Sequence, residues 1–452
     1  MRAAFYTLGC KLNQYETESI ADSFRKLGFE IVNYTDNADI FIVNTCTVTT
    51  KSEQKARRLI RKLSKDNSNS FIIVTGCYAQ LEKEKIKNLG SNVIIVPQGS
   101  KTIIHSFAEI IKNNPDNYLI LLNDELLGFY SDDKDKFSYS PDNYSFHSRA
   151  FVKIQDGCDY MCTYCRVPFA RGKSVSMNYE LLIRNIKNLE KKGFREVVLT
   201  GVNIASYKYN DVNFYTLLKK ILNNTENIRI RISSLEPEKI NEILIDIVKN
   251  KRICSHFHLP VQSGSDKILR LMKRRYNRAK ILENVKFLRQ AKPDAFISAD
   301  VITGFPGETD DDFDLTLDLI EKCRFSSLHI FRFSRRPGTE AYKMKPYIPE
   351  RIAKKRAGIL SDKIKLLYVN YIRGCNTKAE VILEKKIDAE LPVEHNTDVG
   401  VWTGFSDNYL RLHLINVPAE LKQGQLIECR ILNVDEYDNT EQKLVAEYVK
   451  TI

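Results

Sequence analysis

The sequence predicts an α/β protein in three parts: an N-terminal parallel α/β domain over residues 1–130, a partial (β/α)6 barrel over residues 148–373, and a small β-barrel over residues 374–452. Residues 131–147 read as a linker. Three observations predict this. Short apolar runs alternate with amphipathic helical segments through roughly the first 125 residues; six further strand-then-helix units follow; beyond Cys375 the pattern turns to short β-rich runs with turn residues. At 452 residues there is room for about three domains of roughly 150 residues each.

In the first part, apolar runs at residues 3–8, 40–45 and 71–75 lead into Cys10, Cys46 and Cys77, with helical segments at 16–27, stopped by Gly28, and 53–63. Ligands of open parallel sheets gather outside the carboxyl ends of the strands, so the pattern brings three distant thiols to one edge. Residues 131–147 carry Asp, Lys, Ser, Asn and one Pro without periodicity. The six strands of the second part start near Phe151, Glu196, Ile228, His256, Phe296 and Leu328, with helical patterns at 179–192, 281–290 and 313–323; chemistry in such a barrel sits at the carboxyl ends of the strands. In the tail, runs at 379–383, 408–415 and 425–434 fit a small all-β unit.

Hydrophobic residues make up 43% and charged residues 28% of the chain, which excludes a disordered or fibrous protein. No run approaches the ~20 apolar residues of a membrane span and the N-terminus lacks a signal-peptide pattern, so a cytoplasmic location without a membrane partner is expected. Ten scattered cysteines fit metal binding or chemistry better than a disulfide framework. The net charge of +12 is compatible with a polyanionic partner. It is uneven: residues 331–374 hold 12 basic and 3 acidic residues, including Arg332, Arg335, Arg336, Lys354, Lys355 and Arg356, whereas residues 375–452 hold 8 basic and 14 acidic. The basic segment is either a solvated face or a track for phosphates.

The strongest local signal is Cys158-x3-Cys162-x2-Cys165, directly after the first barrel strand. Three thiolates this close on one loop can each ligate an iron of a [4Fe-4S] cluster and leave the fourth iron open, whereas a structural zinc fills all four positions; a zinc site completed by His147 is the competing reading. Cys10, Cys46 and Cys77 are either buried core residues or, from their shared placement at strand ends, ligands of a second cluster with an open iron.

On that cysteine spacing and position the chain resembles the radical S-adenosylmethionine (SAM) enzymes. The resemblance implies that SAM chelates the open iron and is cleaved to a 5′-deoxyadenosyl radical, with the ring of Tyr164 near the adenine unless it simply packs. SAM contacts are then expected from Arg171, whose alternative partner is the substrate, from Thr200 and Asn203 at the end of the second strand, from Ser234 and Glu236, and from Gln262 next to Ser263 and Gly264. The turn from Gly304 to Glu308 is either part of this site or a helix entry with acidic first-turn charges.

Two cysteine trios in this order, followed by a β-rich tail, resemble the methylthiotransferases over nearly the whole chain; these replace a C–H with C–SCH3 on RNA or on a ribosomal protein. The opening Thr7-Leu8-Gly9-Cys10-Lys11-Leu12-Asn13-Gln14-Tyr15-Glu16 is similar to the branch acting on N6-threonylcarbamoyladenosine in tRNA, and Asn44-Thr45-Cys46, Thr75-Gly76-Cys77 and Thr303-Gly304-Phe305-Pro306-Gly307-Glu308 agree. The resemblance implies insertion of a methylthio group at carbon 2 of that nucleoside at position 37, in the anticodon stem-loop. Two [4Fe-4S] clusters take part, one SAM donates the methyl group and another the radical, and an electron donor and a sulfur source are required. The alternative is a methylthiotransferase of isopentenyl-adenosine in tRNA or of a ribosomal-protein aspartate; those branches usually open Gly-Cys-Gln-Met-Asn or Gly-Cys-Pro-Lys-Asn, which Lys11-Leu12-Asn13 does not match. After Ala170-Arg171-Gly172 the chain continues Lys-Ser-Val-Ser and lacks the Arg-Ser-Arg frequent in the family. The tail resembles a TRAM domain, and with its acidic balance RNA contact is expected through Phe405 and Tyr409 stacking on bases.

Overall fold

The structure is a computed structural model that describes residues 1–113, 136–144, 146–387, 399–432 and 443–452. Its first part runs β1 (Arg2–Thr7), α1 (Lys11–Lys26), β2 (Glu30–Val32), β3 (Ile40–Thr45), α2 (Thr50–Asp66), β4 (Phe71–Gly76), α3 (Cys77–Leu81), α4 (Lys83–Lys87), β5 (Val93–Ile95) and α5 (Ile104–Asn113). All five strands are parallel, in the order β2-β1-β3-β4-β5. Helices cover both faces, so every residue of β3 is buried and its sequence is a continuous apolar run up to Asn44. The strand order reverses between β1 and β3, the crevice where ligands of such sheets bind. Cys10, Cys46 and Cys77 follow β1, β3 and β4 there. Helix α1 starts five residues before the expected Glu16, because Cys10 takes extended backbone and serves as its N-cap.

The second part comprises β6 (Ala150–Lys153), β7 (Gln155–Asp156), α6 (Val167–Arg171), β8 (Val175–Ser176), α7 (Tyr179–Lys191), β9 (Glu196–Thr200), β10 (Lys208–Tyr209), β11 (Val212–Asn213), α8 (Phe214–Asn224), β12 (Arg229–Ile232), α9 (Glu242–Val248), β13 (His256–Gln262), α10 (Asp266–Leu271), α11 (Arg278–Ala291), β14 (Phe296–Thr303), α12 (Asp310–Cys323), β15 (Ser327–Arg332) and α13 (Glu350–Arg373). Two parallel sheets, β6-β9-β12 and β13-β14-β15, are joined by single bridges at Ile230–Ile253 and Ser234–His258. The result is the expected open six-stranded barrel, and each strand begins within a residue of its expected start. Alternate residues such as Phe257, Leu259 and Val261 pack under the helices, leaving His256, His258 and Pro260 to the lumen side.

In the tail, β16 (Lys378–Ile387), β17 (Val399–Ser406), β18 (Arg411–Pro418), β19 (Leu426–Ile431) and β20 (Val445–Thr451) close a barrel in the order β16-β17-β18-β20-β19. β17 and β20 were not among the expected runs: β17 contains Gly400 and Gly404, where Lys386 and Val381 of β16 pack instead of a side chain. The tail caps the floor of the large barrel, at the amino ends of its strands. There Arg231 donates to the carbonyls of Ser406 and Asp407 at 3.0 and 2.9 Å, and Phe296 packs edge-on to Tyr371.

Of the expected linker, 131–135 and 145 lie outside the described residues, as do 114–130. The remainder has no helix or strand, yet it is strapped along α1: Tyr15 donates to the Tyr139 carbonyl at 2.9 Å, the Asp142 amide to Asp22 at 2.9 Å, and the Phe146 amide to Glu18 at 2.8 Å. No helix among the described residues is long and apolar enough to cross a membrane.

Candidate active site at the meeting of two cysteine trios

Each trio is shaped by its backbone. Gly9 and Gly76, the residues before Cys10 and Cys77, have φ of +107° and +97°. A Cβ on Gly9 would lie 2.9 Å from Cys46 Sγ, and one on Gly76 2.3 Å from the Thr45 carbonyl oxygen, so glycine is what lets the three strand ends converge. All six cysteines are free thiols. Sulfur acceptors are met by N–H donors: the Val48 amide to Cys46, the Tyr160 amide to Cys158 and the Val167 amide to Cys165, each at 3.4 Å. Burial, with the neighbouring Cys10 thiol adding, pushes Cys46 up to about 12, and burial does the same to Cys165. In the metal-free chain these are neutral thiols that only a cation would hold as thiolates.

The donor set fits iron–sulfur clusters better than a single ion. Among the described residues the one group of three metal-type ligands with atoms all within 4.8 Å is His258, Asp300 and His329; neither cysteine trio contracts that far, as a tetrahedral zinc would require. The competing zinc reading for Cys158, Cys162 and Cys165 loses its fourth ligand, since His147 instead pairs with Glu18 at 2.8 Å.

The two trios are neighbours. Helix α6, two residues after Cys165, packs on α3, which begins with Cys77. Between them lies Arg171, 4% exposed. Its Nε donates to Cys77 Sγ at 3.3 Å, Nη2 to Asn13 and Glu16 at 2.7 and 3.1 Å, and Nη1 to Glu16 and Asp156 at 2.9 and 3.0 Å. Asp156 in turn accepts from the Gly157 amide at 2.7 Å, on the loop that carries Cys158. Burial alone would raise Asp156, but Lys153 and Arg171 outweigh it and hold the carboxyl at about 2; Arg171, Lys101 and Lys153 likewise hold Glu16 well below the usual range against its burial. The expectation that Arg171 contacts SAM is therefore corrected: all its donors are committed to this junction.

The other expected SAM residues lie around the barrel mouth. Asn203 is buried and both atoms of its side-chain amide lack a partner, the signature of a group awaiting a ligand. Its backbone amide is fixed at 2.8 Å by Gln155, a residue the sequence did not single out. The Thr200 carbonyl already accepts from Ile154 at 2.9 Å, so it offers less than expected. Gln262 is buried with φ of +63°, an unusual backbone for a side chain of its size and typical of functional sites. The ring of Tyr164 packs edge-on to Phe305 at 6.5 Å. Glu236 is pushed up to about 7 by burial, despite its hydrogen bond from Arg274. Arg274 also donates to Cys162 Sγ at 3.0 Å, another contact no motif announced. Ser234 bridges to His258 in the lumen, where His258 Nε2 and His329 Nδ1 converge on one oxygen of Asp300 at 3.1 and 3.3 Å. Those hydrogen bonds overcome burial and hold Asp300 at about 2.

Several expected RNA contacts are corrected. Arg336 is buried and pairs with Glu53 while donating to Thr47 at 2.8 Å; it pins the barrel to the N-terminal domain. Arg356 is buried against Glu308 and Asp310 at 2.6 and 2.7 Å. Arg332 pairs with Glu350 at 2.6 Å. Arg335, Lys354 and Lys355 are exposed, Arg335 with its guanidinium 4.7 and 4.1 Å from the rings of Tyr342 and Tyr347. Phe405 and Tyr409 stack on each other at 4.9 Å, with Arg149 over Phe405 at 4.6 Å and His256 against Tyr409 at 4.3 Å, so they glue the tail to the barrel floor and are not free for bases.

Comparison with known proteins agrees with this geometry. Residues 152–320 match the Radical SAM superfamily, and residues 2–97 match a family described as uncharacterized protein family UPF0004. The chain is 36% identical to the threonylcarbamoyladenosine tRNA methylthiotransferase MtaB of Thermotoga maritima, covering 94% of this chain and 96% of that protein. It is 36% identical to the MtaB of Treponema pallidum, covering 81% and 88%. It is also 34% identical to the tRNA-2-methylthio-N(6)-dimethylallyladenosine synthase of Thermodesulfovibrio yellowstonii, covering 94% of each. In fold it is similar to the radical SAM methyltransferase TsrM of Kitasatospora setae, at a TM-score of 0.52 and 12% identity over 75% of this chain and 76% of that one. By these relatives and its cysteine-bearing barrel, the chain belongs to the radical SAM tRNA methylthiotransferases, a family that uses SAM and a [4Fe-4S] cluster.

Proposed function

We propose that this enzyme inserts a methylthio group at carbon 2 of N6-threonylcarbamoyladenosine at position 37 of tRNA, within the anticodon stem-loop. The observation that carries the reading is the juxtaposition of two independent cysteine trios through Arg171 and Asp156. Cys158, Cys162 and Cys165 hold one [4Fe-4S] cluster and Cys10, Cys46 and Cys77 a second. When bound, the clusters and SAM supply the radical, the methyl group and the sulfur that an unactivated aromatic C–H requires.

The chain's own residues position and enclose. The free amide of Asn203 orients SAM at the mouth, Arg274 and Glu236 close the wall beside Cys162, and the His258–Asp300–His329 group presents polar atoms to the lumen below. A base enters most cheaply from a single-stranded loop, where little stacking is lost. The Gly-Cys-Lys opening and the relatives named for threonylcarbamoyladenosine support this substrate over isopentenyl-adenosine.

Nucleoside mass spectrometry of tRNA from a strain lacking the gene tests the assignment. Loss of 2-methylthio-threonylcarbamoyladenosine, with 2-methylthio-isopentenyladenosine retained, is expected; the opposite pattern moves the enzyme to the other branch.

A further inference from the structure

Free positive charge also gathers on a surface no motif singled out. Helix α2 carries seven basic residues and two acidic ones. Its inner face, Ala56, Ile60 and Leu63, is buried on the sheet, and Glu53 is turned inward to Arg336 and Thr47. The outer face presents Lys51, Lys55, Arg58, Lys62 and Lys65, all exposed, at successive spacings of four, three, four and three. That spacing stacks them in one stripe along the helix, about 21 Å long at 1.5 Å per residue. Arg61 stands exposed beside it. Among the described residues none of these six forms an ion pair, whereas five of the twelve basic residues of the segment that the sequence favoured, Arg332, Arg336, Arg356, Lys363 and Lys365, do. The stripe also starts at the site: Cys46 lies just before α2, and Thr50 bonds Ser334 of the barrel rim at 2.6 Å.

We propose that this face of α2 binds the phosphate backbone of the RNA substrate and leads it to the mouth between the two cysteine trios, a proposal that rests on the tRNA reading above. A row of unpaired cations without an exposed large apolar side chain suits a polyanion and lacks what a membrane-surface helix needs.

The test uses the full-length, cluster-reconstituted enzyme and the triple variant K55E/R58E/K62E, with K55Q/R58Q/K62Q as a milder version and R184E/K187E/K191E on the exposed face of α7 as a control. Binding of an anticodon stem-loop RNA is followed by fluorescence anisotropy over a range of salt concentrations. Expected are a loss of affinity of about tenfold or more for the α2 reversal and a slope of log K against log salt shallower by about 2 to 3, with the α7 control near wild type and RNA-free SAM cleavage by chemical reductant unchanged. An α2 variant with wild-type affinity and slope overturns the proposal. So does a defect confined to reduction by an acidic protein donor, or one confined to binding anionic vesicles. If the wild-type enzyme itself fails to bind the stem-loop, the tRNA reading fails first and the inference falls with it.

Discussion

Arg171 Nε donates to Cys77 Sγ at 3.3 Å while its Nη1 binds Asp156, so one barrel side chain joins a thiol of the N-terminal domain to the loop of the other trio. Removing one member of a buried ion pair strands its partners and costs about 3–5 kcal/mol. Arg171→Met is expected to destabilise the metal-free chain by that order in urea unfolding. Adding Asp156→Asn should cost less than the sum of the two single changes, because they share one interaction. Strict additivity would show that the junction is not a unit.

The cysteines divide by trio. Cys162→Ala is expected to halve the iron bound after reconstitution and abolish SAM cleavage, whereas Cys46→Ala spares cleavage and stops methylthio insertion. Iron analysis and product chromatography separate the two, and a Cys46→Ala enzyme that still makes product refutes the role given to the N-terminal site.

Gly9→Ala tests the same site without replacing a ligand. A methyl group there meets Cys46 Cβ at 2.7 Å on a backbone of φ +107°. Iron at the N-terminal trio should fall severalfold while SAM cleavage at Cys158, Cys162 and Cys165 persists; full iron loading would show that the loop relaxes freely.

Much of this was legible in the chain itself. All six barrel strands and the cysteine placement follow from local apolar runs and from the rule that parallel sheets bind ligands at carboxyl ends. What local pattern cannot carry is the partner of a charge. Arg336 and Lys354 look alike in sequence, yet one is buried against Glu53, 283 positions away, and the other is exposed. The same holds for Phe405 and Tyr409, whose aromatic spacing fits base stacking until the barrel floor is seen to fill it. Gln155 and Arg274 were missed because neither belongs to a motif; only the fold brings them to Asn203 and Cys162.

Acid should loosen the floor. Burial raises the Glu196 carboxyl, but Arg231, Arg229 and Arg149 outweigh it and hold it at about 2. A carboxylate depressed in the folded state stabilises fully above its unfolded value of about 4.3, and that contribution is lost as pH falls towards 2. From about 4.3 to 2, this one group contributes about 3 kcal/mol of pH-dependent stability. Glu196→Gln should flatten the stability profile in that window and lower stability at neutral pH. An unchanged profile would mean that the arginines find other partners.

Tyr409 touches all three parts of the chain: its ring lies under Lys11 Nζ at 5.3 Å and Arg231 at 5.1 Å, and against His256. Such a residue acts as a keystone laid last. A ribosome releases Lys11 almost 400 residues before Tyr409, so both cysteine-bearing parts are fully synthesised before the residue that locks them together exists.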